Sequence, residues 1–282
     1  MAVLSPLLLL FAVQVPATRA AFDRYVQLSE DQMRRQHNSD QFISATPDQR
    51  ARLRSGEMLF DRQKTLAAGK EIDVPHGMIQ DWQGTVFLPG ANIARVRATM
   101  QDYEHYKQFY APDLIDSKVI DHNGDDWDIF LRISKKQFLT VVLNANYHVS
   151  YQQITPARLA IHSRSTRIAE VKDPDKSFTV EIPPGQDDGL LWALNSYWRF
   201  EEADGGVYAQ LRAISLSRDI PWGLGWLKGW LENFPKDSLR DTLTGTKRAI
   251  AVGGGRSTDA GGWAGGFACV CRFQTRMPRA AG

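Results

Sequence analysis

The fold is decided by Leu190–Glu201, LLWALNSYWRFE, with the turn Ala203-Asp204-Gly205-Gly206 and the return segment Val207–Ser217, VYAQLRAISLS. In the first segment the even positions are Leu190, Trp192, Leu194, Ser196, Trp198 and Phe200. The odd positions include Asn195, Tyr197, Arg199 and Glu201. Alternation of period two marks a strand with one buried face. Asp and Gly accept the backbone angles of a tight hairpin. The return segment sets Ala209, Leu211, Ala213 and Ser215 on one parity. Asp219-Ile220-Pro221 then opens a helix, because Asp caps well and Pro is tolerated in the first turn. A long apolar helix after a run of strands needs a sheet to lie on. A curved sheet gripping that helix encloses a space.

Working outward, the same alternation recurs upstream. Met78–Leu88 reads as a strand, Pro89-Gly90 as a turn, and Ala91–Tyr106 as a helix with Ile93, Val96, Met100 and Tyr103 on one face. Leu114–Asp121 and Trp127–Ser134 read as strands joined by the hairpin signal Asn123-Gly124. The second of them sets Trp127, Ile129, Leu131 and Ile133 on one face. Phe138–Gln152 carries apolar odd positions, Leu139 through Tyr147 to Val149, and Pro156–Ile168 is a further strand. Asp173–Asp188, rich in Pro, Gly and Asp, is a loop that could lid a cavity. The final helix presents Leu224, Leu227 and Leu231 on one face and Trp222, Trp226 and Trp230 on another. Pro235 removes a backbone donor, so the helix should kink or restart there.

The stretch GLLWALNSYWRFEEADGGVYAQLRAISLSRDIPWGLGWL, Gly189–Leu227, resembles the C-terminal half of bacterial START-like proteins of the SRPBCC superfamily. NSYWRFEE, GGVY and the ISLSRDIP junction carry the resemblance most specifically, and the pattern extends over Glu57–Ile250. The resemblance implies an α+β helix-grip fold, a curved antiparallel sheet around a long C-terminal helix over an apolar cavity. It also implies binding or transport of a hydrophobic small molecule, whether lipid, quinone or polyketide-like. A transient membrane contact is compatible with that role. A polyketide cyclase/aromatase using the same cavity is the first rival, and a non-catalytic partner-binding module the second.

The ends of the chain differ in character. Leu7–Val15, LLLLFAVQV, is a short apolar run before Pro16 and Thr18-Arg19-Ala20. Residues 1–20 therefore read as a signal peptide cut before Ala21, and the chain as exported, periplasmic or secreted. Its leader lacks Lys and Arg before the apolar run. Residues 21–56 read as a helical extension. Phe22, Tyr25, Val26, Leu28 and Met33 form the stripe of one helix, and Thr46-Pro47-Asp48-Gln49 starts a second that ends at Ser55-Gly56. Residues 57–250 form the main domain. Residues 251–282, Gly-rich and without periodicity, read as a disordered tail. The two cysteines, Cys269 and Cys271, lie in that tail, so the folded part suits an oxidising compartment without disulfides.

A net charge of +2 with scattered basic residues points away from nucleic acid. The eight tryptophans suit either a core or the apolar wall of a ligand site. No GxSxG, HExxH, P-loop or GxGxxG motif occurs, and Asp121–Asp126 lacks the spacing of a calcium loop. No catalytic residue, cofactor or metal is assigned, and binding is favoured over catalysis. The expected ligand wall comprises Trp192, Leu194 and Trp198, Tyr147 from the long strand, and Leu224, Leu227 and Leu231 from the helix. His162 and Arg164, in the dense polar run His162-Ser163-Arg164-Ser165, are placed at its polar end. Tyr197 and Arg199 are expected to face solvent.

Overall fold

The computed structural model describes residues 7–37, 39–136, 140–172, 180–187, 189–219 and 228–252, without the side chains of 7–15, 136 and 228–234. Helix α1 (Leu7–Gln36) and α2 (Pro47–Arg54) precede strands β1 (Leu59–Arg62) and β2 (Gly77–Pro89). Then come α3 (Ile93–Gln101), a 3-10 turn (Tyr103–His105) and α4 (Tyr106–Phe109). Strands β3 (Leu114–Asn123), β4 (Asp126–Lys136), β5 (Thr140–Thr155), β6 (Arg158–Lys172), β7 (Val180–Glu181), β8 (Ala193–Ala203) and β9 (Gly206–Arg218) follow, and α5 (Lys228–Val252) ends the described chain.

All strand pairs are antiparallel, in the order β1-β2-β9-β8-β6-β5-β4-β3, with β7 added to β6. This curved sheet with helices on it is α+β and matches the helix-grip expectation. The β8–β9 hairpin closes as its residues require. Asp204 (φ 55°) and Gly205 (φ 75°) both take the left-handed region, the pair of angles that a two-residue turn between twisted strands needs.

Sequence parity sorts the sheet into two faces. The inner face carries Val86, Leu88, Ile129, Ala145, Tyr147, Val149, Tyr151, Leu159, Ile161, Trp198, Phe200, Ala209 and Leu211, packed with α3 and with Leu239, Leu243 and Ile250 of α5. Those three α5 residues lie one above another along the helix, so a single stripe meets the sheet. Gly84 of β2 allows that approach. A side chain there would lie 2.6 Å from Leu243 Cδ1.

The outer face is not open to solvent. Phe22, Tyr25, Val26 and Met33 of α1 pack on Ala193, Tyr197, Ile214 and Leu216, and Phe42, Ile43 and Leu53 pack on Phe87 and Tyr208. The stripe read for α1 is thus the buried one. α2 has the expected start. Thr46 accepts from Gln49 N, and the Gln49 side chain accepts from Thr46 N.

Four expectations change. The helix read over Ala91–Tyr106 breaks after Gln101, where Asp102 leaves helical angles, into a 3-10 turn and α4. α5 does not restart at Pro235 but continues through it as one helix, since a single missing ladder bond is tolerated when the turns on both sides are intact. Tyr197 and Arg199 are 2% and 5% exposed, because α1 covers the face they point from. Trp192 precedes β8, so strand alternation does not govern it. It packs with the outer cluster beside Ile72, Val74 and Ile79, and its indole N–H donates to Asp187 Oδ1 at 3.1 Å.

α1 passes without interruption through residues 18–21, the expected cleavage position. Among the described residues no helix is long and apolar enough to cross a membrane. The tail 253–282 with both cysteines, residues 173–179 and 188 of the loop read over Asp173–Asp188, and the helix start 220–227 lie outside the described residues.

Candidate functional site

The inner face is uneven along its length. At one end Val86, Leu88, Leu159, Phe200, Val207 and Ala209 are 2% exposed or less. There α3 and the C-terminal half of α5 seal the sheet. At the other end, nearer the segments that flank 137–139, 173–179 and 220–227, inner-face positions are only half-buried. They are Trp82, Leu131, Ile133, Ser163, Ser165, Ile168, Leu194, Ser196, Ala213 and Ser215. The inner apolar face is thus sealed at one end and partly accessible at the other.

Register shows how this band is put together. Tyr147 of β5 stands opposite Ser165 of β6 on one side and Ile129 of β4 on the other. Ser163 stands opposite Ser196 of β8, and Ile161 opposite Trp198. Small hydroxyl residues interrupt an otherwise apolar wall because a Ser side chain leaves room where a larger residue would fill it. Ser165 Oγ accepts from Leu194 N at 2.9 Å, which ties the start of β8 to β6. Trp198 stacks on Phe200, with ring centroids 5.2 Å apart and planes 10° apart.

Polar groups are sparse here, and three of them lack partners. The Tyr147 hydroxyl and the indole N–H groups of Trp82 and Trp127 are buried without a hydrogen bond among the described residues. Burial alone pushes the Tyr147 phenol well above its ordinary range, so it stays protonated and remains a donor. A buried donor without an acceptor costs about 1–3 kcal/mol. The neighbouring tyrosines contrast with it. Tyr103 and Tyr151 are joined hydroxyl to hydroxyl at 2.6 Å, and Tyr151 and Tyr106 both donate to the Met100 carbonyl, at 2.5 and 2.6 Å. Tyr110, raised to about 12 by burial, bonds Thr246. Those hydroxyls hold α3, α4 and α5 together. That of Tyr147 holds nothing.

The expected wall is brought together in part. Tyr147, Leu194 and Trp198 share the inner face. Leu224 and Leu227 lie outside the described residues, as does the side chain of Leu231. Trp192 is on the other side, as described. His162 and Arg164 do share a face, but it is the outer one. In β6 they alternate with Leu159, Ile161 and Ser163, which face inward. His162 meets Tyr197 with ring centroids 5.2 Å apart, and Arg164 pairs with Glu30 of α1. They are corrected from the polar end of an inner cavity to the α1 interface. Sequence reasoning missed Trp82, Ser163 and Ser196 as wall residues. Their signal was present in the parity they share with Ala213 and Trp198.

Among the described residues no group of three or more His, Cys, Asp or Glu could hold a metal ion.

No family model matches the sequence, and no curated protein matches it. Among solved structures the chain is similar to a STAR-related lipid transfer protein from Xanthomonas axonopodis, at 13% identity and TM-score 0.45 over 68% of this chain and 98% of that one. It is similar to the Zhui aromatase/cyclase from Streptomyces sp. R1128, at 11% identity and TM-score 0.44 over 66% of this chain and 100% of that one. Human STARD10 aligns at 8% identity and TM-score 0.43 over 68% of this chain and 73% of that one. The α+β helix-grip class itself rests on the strand order and on the seating of α5 described above.

Proposed function

We propose that this chain binds a hydrophobic small molecule non-covalently against the half-buried end of the inner face. The observation that carries this reading is the Tyr147 hydroxyl, a buried donor without a partner in a wall of apolar and serine side chains. Such a donor suits an oxygen acceptor on the ligand. A lipid ester, a quinone or a polyketide-like ketone has the required chemistry. Affinity would come mainly from apolar area, at roughly 25 cal/mol per Å². Tyr147 would supply orientation.

The same proposal includes export. Cleavage before Ala21 removes Thr18, whose hydroxyl bonds the Pro75 carbonyl, but keeps Phe22, Tyr25, Val26 and Met33, which seat α1. N-terminal sequencing of material from the cell exterior or periplasm tests it, and a start well away from Ala21 overturns it. A carrier of this kind would meet a membrane briefly to load or unload, which co-sedimentation with liposomes tests.

The central experiment pairs native mass spectrometry of the purified protein with a quinone titration of wild type and Tyr147→Phe. The variant removes only the unpartnered hydroxyl. Quinone affinity should fall roughly fivefold, the size of one net hydrogen bond, while a pure hydrocarbon probe binds both proteins alike. Absence of binding to wild type, or an equal loss for both ligands, overturns the reading.

A further inference from the structure

The interface between α1 and the outer face of the sheet contains an imbalance of charge. Glu201 pairs with Arg50 and Arg158, Glu30 with Arg164, and Asp81 with Arg212. Arg199, 5% exposed, has no carboxylate among the described residues. Its Nη1 donates to Gln36 Oε1 at 2.8 Å and to the Phe42 carbonyl at 3.0 Å, and its Nη2 to the Met33 carbonyl at 3.1 Å. Nε and one Nη2 hydrogen make no hydrogen bond among the described residues. Arg212 spends Nε and Nη2 on Asp81, Thr65 and Ser29, which leaves Nη1 without one.

These two guanidinium groups are neighbours. Arg199 stands opposite Gln210 in the β8–β9 ladder and Arg212 opposite Tyr197, a diagonal pair on one face. Both line a cavity of about 90 Å³ whose walls also include Gln36, Gln83, Gln210 and Tyr197. Amides and guanidinium groups dominate the lining. The available hydrogens are donors of the kind that a small anion accepts.

The local field agrees with the geometry. Burial, with the Arg212 charge behind it, lowers Arg199 to about 10. His37 is lowered by burial and then by Arg199 and Arg34. A buried cation without a counter-charge is costly. An anion between Arg199 and Arg212 would offset that cost. The volume is that of about three waters at about 30 Å³ each, which admits an ion of the size of chloride or formate with about one or two waters. It excludes a lipid.

We propose that this cavity is a binding site for a small monovalent anion, held between Arg199 and Arg212 and locking α1 onto the sheet. The site is separate from the inner face, with the sheet between them, and does not depend on the ligand proposal above.

The test uses the whole protein and sodium bromide as the heavy surrogate of chloride. Crystals soaked in bromide should give an anomalous peak in the cavity, within hydrogen-bond distance of both guanidinium groups. Melting should rise saturably when sodium gluconate, too large for the cavity, is replaced by sodium chloride at constant ionic strength. Arg199→Met should lose that response, and Arg164→Met, which leaves the cavity lining intact, should keep it. A cavity that holds waters alone overturns the proposal whatever the melts show. So does a chloride response that survives in Arg199→Met. Should that variant fail to fold, the bromide peak in wild type decides alone.

Discussion

Arg212 of β9 reaches across the outer face to Asp81 of β2, where its Nε donates to Asp81 Oδ1 at 2.9 Å beneath α1. The two side chains are 9% and 2% exposed. Tyr25 of α1 donates to the same carboxylate at 2.9 Å, so helix and sheet meet on one buried charge. Removing one member leaves the other desolvated and unpaired. Asp81→Ala should therefore cost about 3–5 kcal/mol, whereas replacing both Asp81 and Arg212 by Leu should cost much less. Urea denaturation of the two variants checks this. Equal losses would mean that the pair itself, not the orphaned charge, sets the energy.

His162 gives the interface a pH dependence of defined sign. Burial lowers its pKa to about 4 against the upward pull of Glu30, and His37, Arg164 and Arg199 lower it further. The unfolded chain takes up this proton near pH 6.5. The folded chain does not until about 4. Stability from this group is complete above the unfolded value and is lost as pH falls from about 6.5 to about 4. His37 acts in the same direction. For a ring that is only half-buried the loss should be on the order of 1–2 kcal/mol. Comparing the pH profiles of wild type and His162→Asn isolates it from the carboxylates. Parallel profiles would sink the assignment.

The β8–β9 turn should reject a branched side chain. Gly205 has φ +75° with open space around it, so the penalty for Gly205→Val is conformational rather than a collision. A loss of about 1–3 kcal/mol is expected, read as a lower denaturation midpoint. An unchanged midpoint would show that the hairpin can close with other angles.

Trp198→Ala should weaken binding of an apolar fluorescent probe, and Arg164→Ala should not, because the two residues lie on opposite faces. Stability has to be followed in parallel, since truncating a buried Trp costs about 3–5 kcal/mol by itself. Arg199→Ala is the wrong control for this purpose, because it strips a buried group from the α1 interface. Equal probe binding by both variants and wild type would place the ligand elsewhere.

Much of the sheet was legible because alternation of period two survives wherever one face is consistently apolar. Trp127, Ile129, Leu131 and Ile133 were read correctly as one face, as were Ala209, Leu211 and Ala213. What alternation lacks is a sign. It shows that His162 and Arg164 share a face and that Tyr197 and Arg199 do, but not which face is concave. Solvent was the natural reading for an Arg and a Tyr opposite two large aromatics. α1 overturns it, because a helix remote in sequence covers that face and bonds Tyr197 through Glu30 and Arg199 through Gln36 and the Met33 carbonyl. Trp192 failed for a different reason. Its segment looks like a strand from Leu190, three residues before the strand begins at Ala193, where Gly189, with φ +71°, still directs the chain. The Arg199 cavity carried no local signal, since its walls come from segments far apart in sequence, from Gln32 to Arg212.

The placement of α1 also bears on how the chain is assembled. Its most distant partners lie in β8 and β9: Tyr197 bonds Glu30 across 167 residues, and Arg212 reaches Ser29 across 183. The apolar stripe of Phe22, Tyr25, Val26 and Met33 emerges first; Tyr25 can meet Asp81 once β2 exists, but Ala193, Tyr197, Ile214 and Leu216, on which the stripe packs, come only with β8 and β9. Contacts so distant in sequence carry a large closure entropy and form slowly. A nascent or translocating chain therefore exposes an amphipathic helix for most of its synthesis. Docking of that helix is complete only once β8 and β9 are in place.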